Sequence, residues 1–153
     1  MKRVWIYQSN RFLEPTEIKR VEEILQAFVA QWTAHGNQLA GSFRIQHNLF
    51  LLLMVDEEKA MVTGCSIDKS VHLLKKIEEE LGITLFDRLQ LAYREPSDGQ
   101  IRVVSRDTFT TLLKAGQIDE NTIVFNNMLT QVDQLDSQWE VPLKESWHAK
   151  VFL

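Results

Sequence analysis

The sequence predicts a single α+β domain over residues 1–153, with a mostly antiparallel sheet of about six to seven strands covered by about three to four helices. Short segments of alternating apolar and polar residues recur along the chain, and two longer segments repeat apolar residues at helical spacing. No linker rich in proline, glycine or serine divides the sequence. The 153 residues, 44% of them hydrophobic and 25% charged, have the size and composition of one folded domain.

The first strand and the two long helices are predicted from periodicity and from end signals. Residues 3–7 alternate in hydropathy and predict a strand. Apolar residues recur at steps of three and four after Pro15, which predicts a helix that stops at Gly36. A second helix with the same spacing is expected to follow Asp68. It ends at Gly82, because glycine tolerates the left-handed conformation that closes many helices.

Between these helices the pattern predicts an antiparallel meander. Residues 39–46 alternate as in a half-buried strand, and His47-Asn48 is typical of a tight turn. The apolar run 49–55 predicts a central strand that is buried on both faces. A third strand is expected at Ala60–Thr63.

The second half of the chain predicts shorter elements of the same kinds. In chain order these are a strand at 89–93, a turn at 96–99, a strand at 101–104, a helix capped by Asp107 and closed by Gly116, a strand at 122–125 and a last short helix at 132–139.

Charge and hydropathy exclude several classes of protein. The net charge of −4, with scattered Lys and Arg, disfavours binding to duplex nucleic acid or to an anionic membrane surface. The longest apolar run, Leu49–Val55, is much shorter than the roughly 20 residues that span a bilayer. Cys65 is the single cysteine, so an intramolecular disulfide is impossible. These features favour a cytoplasmic protein.

Two segments superficially suggest a nucleotide hydrolase. Residues 49–57, LFLLLMVDE, form an apolar strand that ends in Asp-Glu, and residues 64–70, GCSIDKS, end in Lys-Ser. A phosphate-binding loop needs a glycine directly before the lysine, so that the backbone N–H groups wrap around the phosphate. Here Asp68 occupies that position. The sequence therefore predicts that the protein is not a P-loop ATPase.

Nearly the whole chain resembles a family of small, uncharacterised bacterial proteins whose members are sometimes labelled "ABC transporter ATPase". The resemblance implies a distinct intracellular bacterial domain and carries no established activity. It is carried by these segments: VWIYQSNRFL (4–13), FVAQWTAHGNQL (28–39), VTGCSIDKSV (62–71), LFDR (85–88), TIVFNNM (122–128) and WEVPLKESWHAKVF (139–152).

A thiol-dependent enzyme is one functional hypothesis. Cys65 lies near the predicted start of a helix, whose free N–H groups favour a thiolate. His35 and His148 are candidate bases, and Asp56 is a candidate to orient one of them. In the alternative interpretation Cys65 is a small buried apolar side chain, since lone cysteines are often buried and the charge of Asp68 opposes a thiolate.

A non-catalytic binding or interaction domain is the leading hypothesis. Trp5 and Tyr7 share a face of the first strand, and Trp147 and His148 lie in an irregular C-terminal segment, so together they predict an aromatic surface for a protein or a small ligand. Asn126 is a candidate contact. In the alternative interpretation the tryptophans close the core or a dimer seam, and Asn126 lies in a turn.

A small homodimeric scaffold is the third hypothesis that fits the composition. The four histidines have no metal-binding spacing, and Asp56-Glu57-Glu58 is typical of a solvated turn, so neither a metal nor a cofactor is expected. Strand order cannot be read from hydropathy alone.

Overall fold

A computed structural model describes all residues from Met1 to Leu153. The chain divides into two compact units. The first unit contains Met1–Phe86 and Thr130–Asp133, and the second contains Asp87–Leu129 and Gln134–Leu153. The prediction of a single domain over residues 1–153 stays a prediction.

Strands and helices alternate irregularly along both units. In the first unit they are β1 (Lys2–Gln8), α1 (Pro15–Gln31), β2 (Thr33–Ala34), β3 (Asn37–Gln38), β4 (Ala40–Gln46), β5 (Phe50–Asp56) and α2 (Gly64–Leu81). In the second unit they are β6 (Gln90–Arg94), β7 (Ile101–Ser105), α3 (Arg106–Lys114), β8 (Ile123–Phe125), α4 (Leu135–Gln138), β9 (Glu140–Pro142) and α5 (His148–Phe152). Short 3-10 turns occur at Val132–Gln134 and Leu143–Glu145.

The predicted α+β class and the antiparallel pairing are confirmed, but the prediction of one sheet is wrong. Nine strands form three separate sheets, with the orders β1-β5-β4, β2-β3 and β7-β6-β8-β9. Five α-helices are present instead of three to four. α4 lies within the short helix predicted at 132–139, whereas α5 is a short helix with no clear periodic signal.

The prediction of a third meander strand at Ala60–Thr63 is also wrong, because these residues form no strand. The second neighbour of β5 is β1 instead. Thr63 is instead the N-cap of α2, where its Oγ1 accepts a hydrogen bond from Ser66 N at 3.2 Å. In return the Thr63 N–H donates to Ser66 Oγ at 2.8 Å. This capping box satisfies N–H groups at the helix start, so the helix begins before Asp68, where the sequence placed it.

The core of the first unit lies between one face of its sheet and the two long helices. Leu51 and Leu53 of β5 are fully buried and pack with Leu25 of α1 and Ile77 of α2. Phe50 of β5, which points to the opposite face, is fully buried as well. The prediction of a strand buried on both faces is therefore confirmed.

An arginine joins the beginning of α1 to the end of α2. The Arg11 guanidinium donates to both carboxylate oxygens of Glu17 at 2.8 Å and to the carbonyl oxygen of Leu81 at 2.8 Å. The hydrogen bond from Arg11 lowers the pKa of Glu17 to about 2. Glu17 also accepts a bond from Glu14 N at 2.9 Å, which stabilises the first turn of α1.

Trp32 fixes the distance between α1 and β4. Its ring is buried, and its Nε1 donates to the carbonyl oxygen of Ser66 at 2.8 Å. A Cβ atom at Gly41 of β4 would lie only 3.0 Å from Trp32 Cε3. Glycine at this position therefore permits the close approach of the indole to the strand.

Gly41→Ala is expected to destabilise the protein by about 1–3 kcal/mol, because the added methyl group overpacks a ring that cannot move away. The matched control is Gly64→Ala at the exposed start of α2, where a Cβ meets nothing within 4 Å. That control is expected to change stability by less than about 0.5 kcal/mol. Urea unfolding followed by circular dichroism measures both. Equal effects of the two substitutions would contradict the packing account.

Candidate functional site

The outer edge of β1 is covered by a segment from later in the chain. The Val4 N–H donates to the carbonyl oxygen of Thr130 at 2.9 Å, and Arg3 forms an antiparallel bridge with Gln131. The backbone groups of Val4 therefore point away from β5. Since neighbouring residues of a strand point their backbone groups to opposite sides, the groups of Arg3 and Trp5 point toward β5.

This alternation continues through β5. Ser9 N donates to Leu49 O at 2.9 Å and Glu57 N donates to Met1 O at 2.9 Å, so the odd-numbered residues of this strand pair are the hydrogen-bonded ones. Consequently the odd-numbered residues of β5 bond to β1, and the even-numbered ones bond to β4.

The same alternation defines the free edge of β4. The residues that face the even-numbered ones of β5 are Ala40, Ser42, Arg44 and Gln46. Gly41, Phe43 and Ile45 therefore direct their N–H and C=O groups away from the sheet. No backbone partner meets them, since β4 has β5 as its single neighbour.

Local structure limits this free edge at both ends. At one end the Leu39 N–H donates to the carbonyl oxygen of Trp32 at 2.9 Å, which confirms that odd-numbered residues point outward. At the other end His47 and Asn48 adopt positive φ angles of 56° and 55° in the turn to β5. We call the stretch between them, Gly41–Ile45, the open edge.

The side chains of the open edge differ between its two sides. Phe43 and Ile45 are half-buried and pack against the core of the first unit, on the side of the helices. Ser42 and Arg44 are exposed on the other side. The Arg44 guanidinium takes part in no ion pair or hydrogen bond. The open edge thus offers backbone hydrogen-bonding groups, an apolar margin and one free positive charge.

The other sheet edges are less suited to binding. β9 has three residues and ends in Pro142, and β7 leads directly into α3, which begins at Arg106. A shallow cavity of about 510 Å³ near the start of β1 contains neither histidine nor cysteine; its lining residues are Met1, Lys2, Gln131, Val132 and Asp133. It therefore contains neither the thiol nor any histidine of the thiol hypothesis.

Comparison with protein-family models, with curated proteins and with solved structures finds no match to this chain. The resemblance to the family of small bacterial proteins stays a prediction. None of the helices is long and apolar enough to cross a membrane. No group of three or more His, Cys, Asp and Glu side chains is arranged to hold a metal ion.

In the first unit, the residues of the thiol hypothesis are Cys65, His35 and Asp56, and Cys65 is hydrogen-bonded to neither of the other two. Cys65 is exposed at the second position of α2, so the interpretation as a buried apolar side chain is wrong. No hydrogen bond joins Cys65 to His35, which is exposed in the β2–β3 turn, or to Asp56. Asp56 Oδ1 instead accepts from Glu58 N at 3.1 Å. A base within reach of the thiol is thus missing among these residues of the first unit.

The segment that superficially resembles a phosphate-binding loop is helical. Gly64–Ser70 forms the first turns of α2, with Lys69 exposed on the helix surface. Backbone N–H groups beyond the first turn of a helix are bonded to the carbonyl groups four residues before them. Most of this segment therefore has no N–H groups available for a phosphate.

In the first unit, the residues of the aromatic hypothesis mainly complete the core. Trp5 is half-buried, with its ring centroid 6.1 Å from that of Trp32 and the Arg3 guanidinium 4.7 Å above it. Tyr7 packs edge-on against Phe86 at 5.4 Å, and burial raises the pKa of Tyr7.

In the second unit, the corresponding residues are also part of a core. His148 is 1% exposed, whereas the surface hypothesis requires an accessible ring. Its Nδ1 lies 2.8 Å from Ser146 Oγ, and the half-buried Trp147 stacks on it at 3.8 Å between centroids. Asn126 Oδ1 accepts a hydrogen bond from Met128 N at 3.1 Å, as expected if Asn126 lies in a turn.

The open edge was missed in the sequence, although the alternation over residues 39–46 predicts the strand itself. Hydropathy shows that a strand is half-buried, but it does not show which neighbours the strand has. β4 contains no His, Cys, Asp or Glu, and no catalytic or metal-binding motif marks the strand as a site.

Burial lowers the pKa of His148 from 6.5 to about 4. The unfolded chain therefore binds a proton below about pH 6.5, while the folded chain does not until about pH 4. The stability that neutral His148 contributes is complete above pH 6.5 and is lost as the pH falls from 6.5 to about 4. The loss is expected to be at most about 3 kcal/mol.

Urea unfolding between pH 7 and pH 4.5 measures this effect. His148→Gln cannot titrate, so its stability is expected to fall less over this range than that of the wild type. His72→Gln on the exposed face of α2 is the control and is expected to keep the wild-type pH dependence. An unchanged pH dependence in His148→Gln would show that another group is responsible.

Proposed function

We propose that this protein is an interaction domain that binds an extended chain along the open edge of β4. The bound chain becomes a fourth strand of the first unit's sheet, next to β4. One observation carries the proposal: Gly41, Phe43 and Ile45 direct unpaired backbone donors and acceptors outward. Strand addition to an exposed sheet edge is a common mode of peptide recognition.

The contrast between the two edges of the same sheet supports this proposal. The β1 edge is closed by Thr130 and Gln131, as in many proteins that cover an exposed edge with another segment. From Gly41 to Ile45 the outer side of β4 has no backbone partner and contains no proline. It contains a single charge, Arg44, which lies on the exposed side of the sheet and not among the outward backbone groups.

The affinity of such a site comes from two sources. Each backbone hydrogen bond contributes a net free energy of about 0.5–1.5 kcal/mol, so the outward groups alone give weak binding. Apolar contacts of the added strand with Phe43 and Ile45 supply the rest. We therefore expect partners with apolar residues on alternate positions, since alternate side chains of a strand lie on one side.

Phe43→Pro is expected to abolish binding of short extended peptides, such as those selected from a displayed library. Proline removes the outward N–H but no bond to β5, so the sheet itself is expected to remain folded. Phe43→Ala is the control, because it removes the ring and keeps the N–H. Calorimetry measures binding of the selected peptide, and circular dichroism confirms folding.

Phe43→Ala is expected to weaken binding by about tenfold, in contrast to the complete loss in Phe43→Pro. If a folded Phe43→Pro variant binds the peptide as well as the wild type does, the open edge is not the binding site.

The thiol-dependent enzyme remains a second candidate, favoured by the exposure of Cys65. It requires a thiol that the folded structure activates. The rate of carbamidomethylation, followed by mass spectrometry, tests this requirement in the folded and the urea-unfolded protein. A rate that is no faster in the folded protein would rule out this candidate.

A further inference from the structure

Building on the proposed function, we infer that the strand that binds the open edge is β4 of a second copy of this chain, paired antiparallel about a two-fold axis at Phe43. The protein is then a homodimer in which two three-stranded sheets join through their open edges. The hydrogen-bonding alternation, the charge of Arg44 and the limits of the open edge together select this arrangement.

Hydrogen bonding restricts the possible registers. Two antiparallel edges pair when the outward residues of one strand face the outward residues of the other. Because the outward residues are odd-numbered, the two-fold axis of a self-pairing strand passes through a residue and not between two residues. At least two outward residues of each copy are paired only when the axis lies at Ser42, Phe43 or Arg44. If the axis lay between two residues, each outward residue of one strand would face a residue of the other strand whose backbone groups are already bonded to β5.

Charge and the ends of the open edge exclude two of these registers. An axis at Arg44 places the two arginines directly opposite each other, and like charges in that position are unfavourable. An axis at Ser42 places Ile45 opposite Leu39 of the second copy. That position is already occupied, because the Leu39 N–H donates to Trp32 O.

The axis at Phe43 satisfies both conditions. It uses all three outward residues of each copy, with Phe43 opposite Phe43 and Gly41 opposite Ile45. Arg44 then faces the neutral Ser42 of the second copy, so no like charges meet across the axis. On the helix side two aromatic rings come together, an arrangement that stabilises cross-strand pairs.

The dimer is expected to be weak and dependent on concentration. The open edge has few residues, and the resulting contact lies at the small end of specific protein interfaces. Dissociation constants in the range of roughly 1–100 µM follow from an interface of this kind. Sedimentation equilibrium over a concentration series covers that range.

Charge substitutions at Ser42 and Arg44 test the register, and both side chains are exposed, so the folded monomer is expected to tolerate them. In the Ser42→Glu variant each glutamate faces Arg44 of the second copy, so the dimer contains two opposite-charge pairs. Its association is expected to be about fivefold tighter than that of the wild type. Ser42→Arg creates two like-charge pairs and is expected to weaken it by a similar factor. The double variant Ser42→Arg/Arg44→Glu exchanges the charges and is expected to restore or exceed wild-type association.

Each outcome separates the two proposals. A wild-type protein that sediments as a monomer at all concentrations would overturn the inferred dimer, while peptide binding abolished by Phe43→Pro would keep the open edge as a binding site. Dimers that do not respond to the charge series would also overturn the inference, because their interface lies elsewhere. Dimers that follow the series, with unchanged circular dichroism of each variant, would support both proposals.

Discussion

The first unit depends on the two-sided hydrogen bonding of β5. This strand is paired along its whole length with β1 on one side and with β4 on the other. Because a strand alternates its backbone groups between its two sides, the direction of every N–H in β1 and β4 follows from β5. The same alternation places Leu51 and Leu53 toward the helices. Core packing and edge chemistry are therefore two results of one register.

The two outer strands of this sheet differ in one respect that bears on function. β1 receives Thr130 and Gln131 along its outer side, so its hydrogen-bonding groups are satisfied within the chain. Next to β4, the Leu39 N–H donates to the carbonyl oxygen of Trp32, and the outward backbone groups of Gly41–Ile45 then have no backbone partner. Trp32 also packs against Gly41, so the residue that holds α1 close to the strand lies at the start of the free edge. Exposed edges promote association, which makes this one a natural place for a partner.

The elements that could be predicted from sequence are those with a strong local signal. β4, β5 and the start of α1 are predicted close to their observed bounds, and Gly82 does end α2 with a left-handed conformation. The predicted end of α1 at Gly36 is wrong, because the helix ends at Gln31 and Gly36 lies in the turn between β2 and β3. The false strand at Ala60–Thr63 shows the limit, since its apolar residues pack beside Trp32 without joining the sheet. Strand order and separation into three sheets depend on contacts between distant residues, which periodicity does not contain. The sequence marks Trp5, Tyr7, Trp147 and His148 as a group, but it does not distinguish an aromatic surface from a core that includes His148.

Amide hydrogen exchange along β4, measured by NMR in dilute protein, tests whether the outer side of this strand is unpaired. Fast exchange is expected at Gly41, Phe43 and Ile45, and slow exchange is expected at Ser42 and Arg44, whose N–H groups bond to β5. Uniformly slow exchange across residues 41–45 in the monomer would contradict an open edge. The reverse alternation would contradict the register from which both the binding site and the dimer are derived.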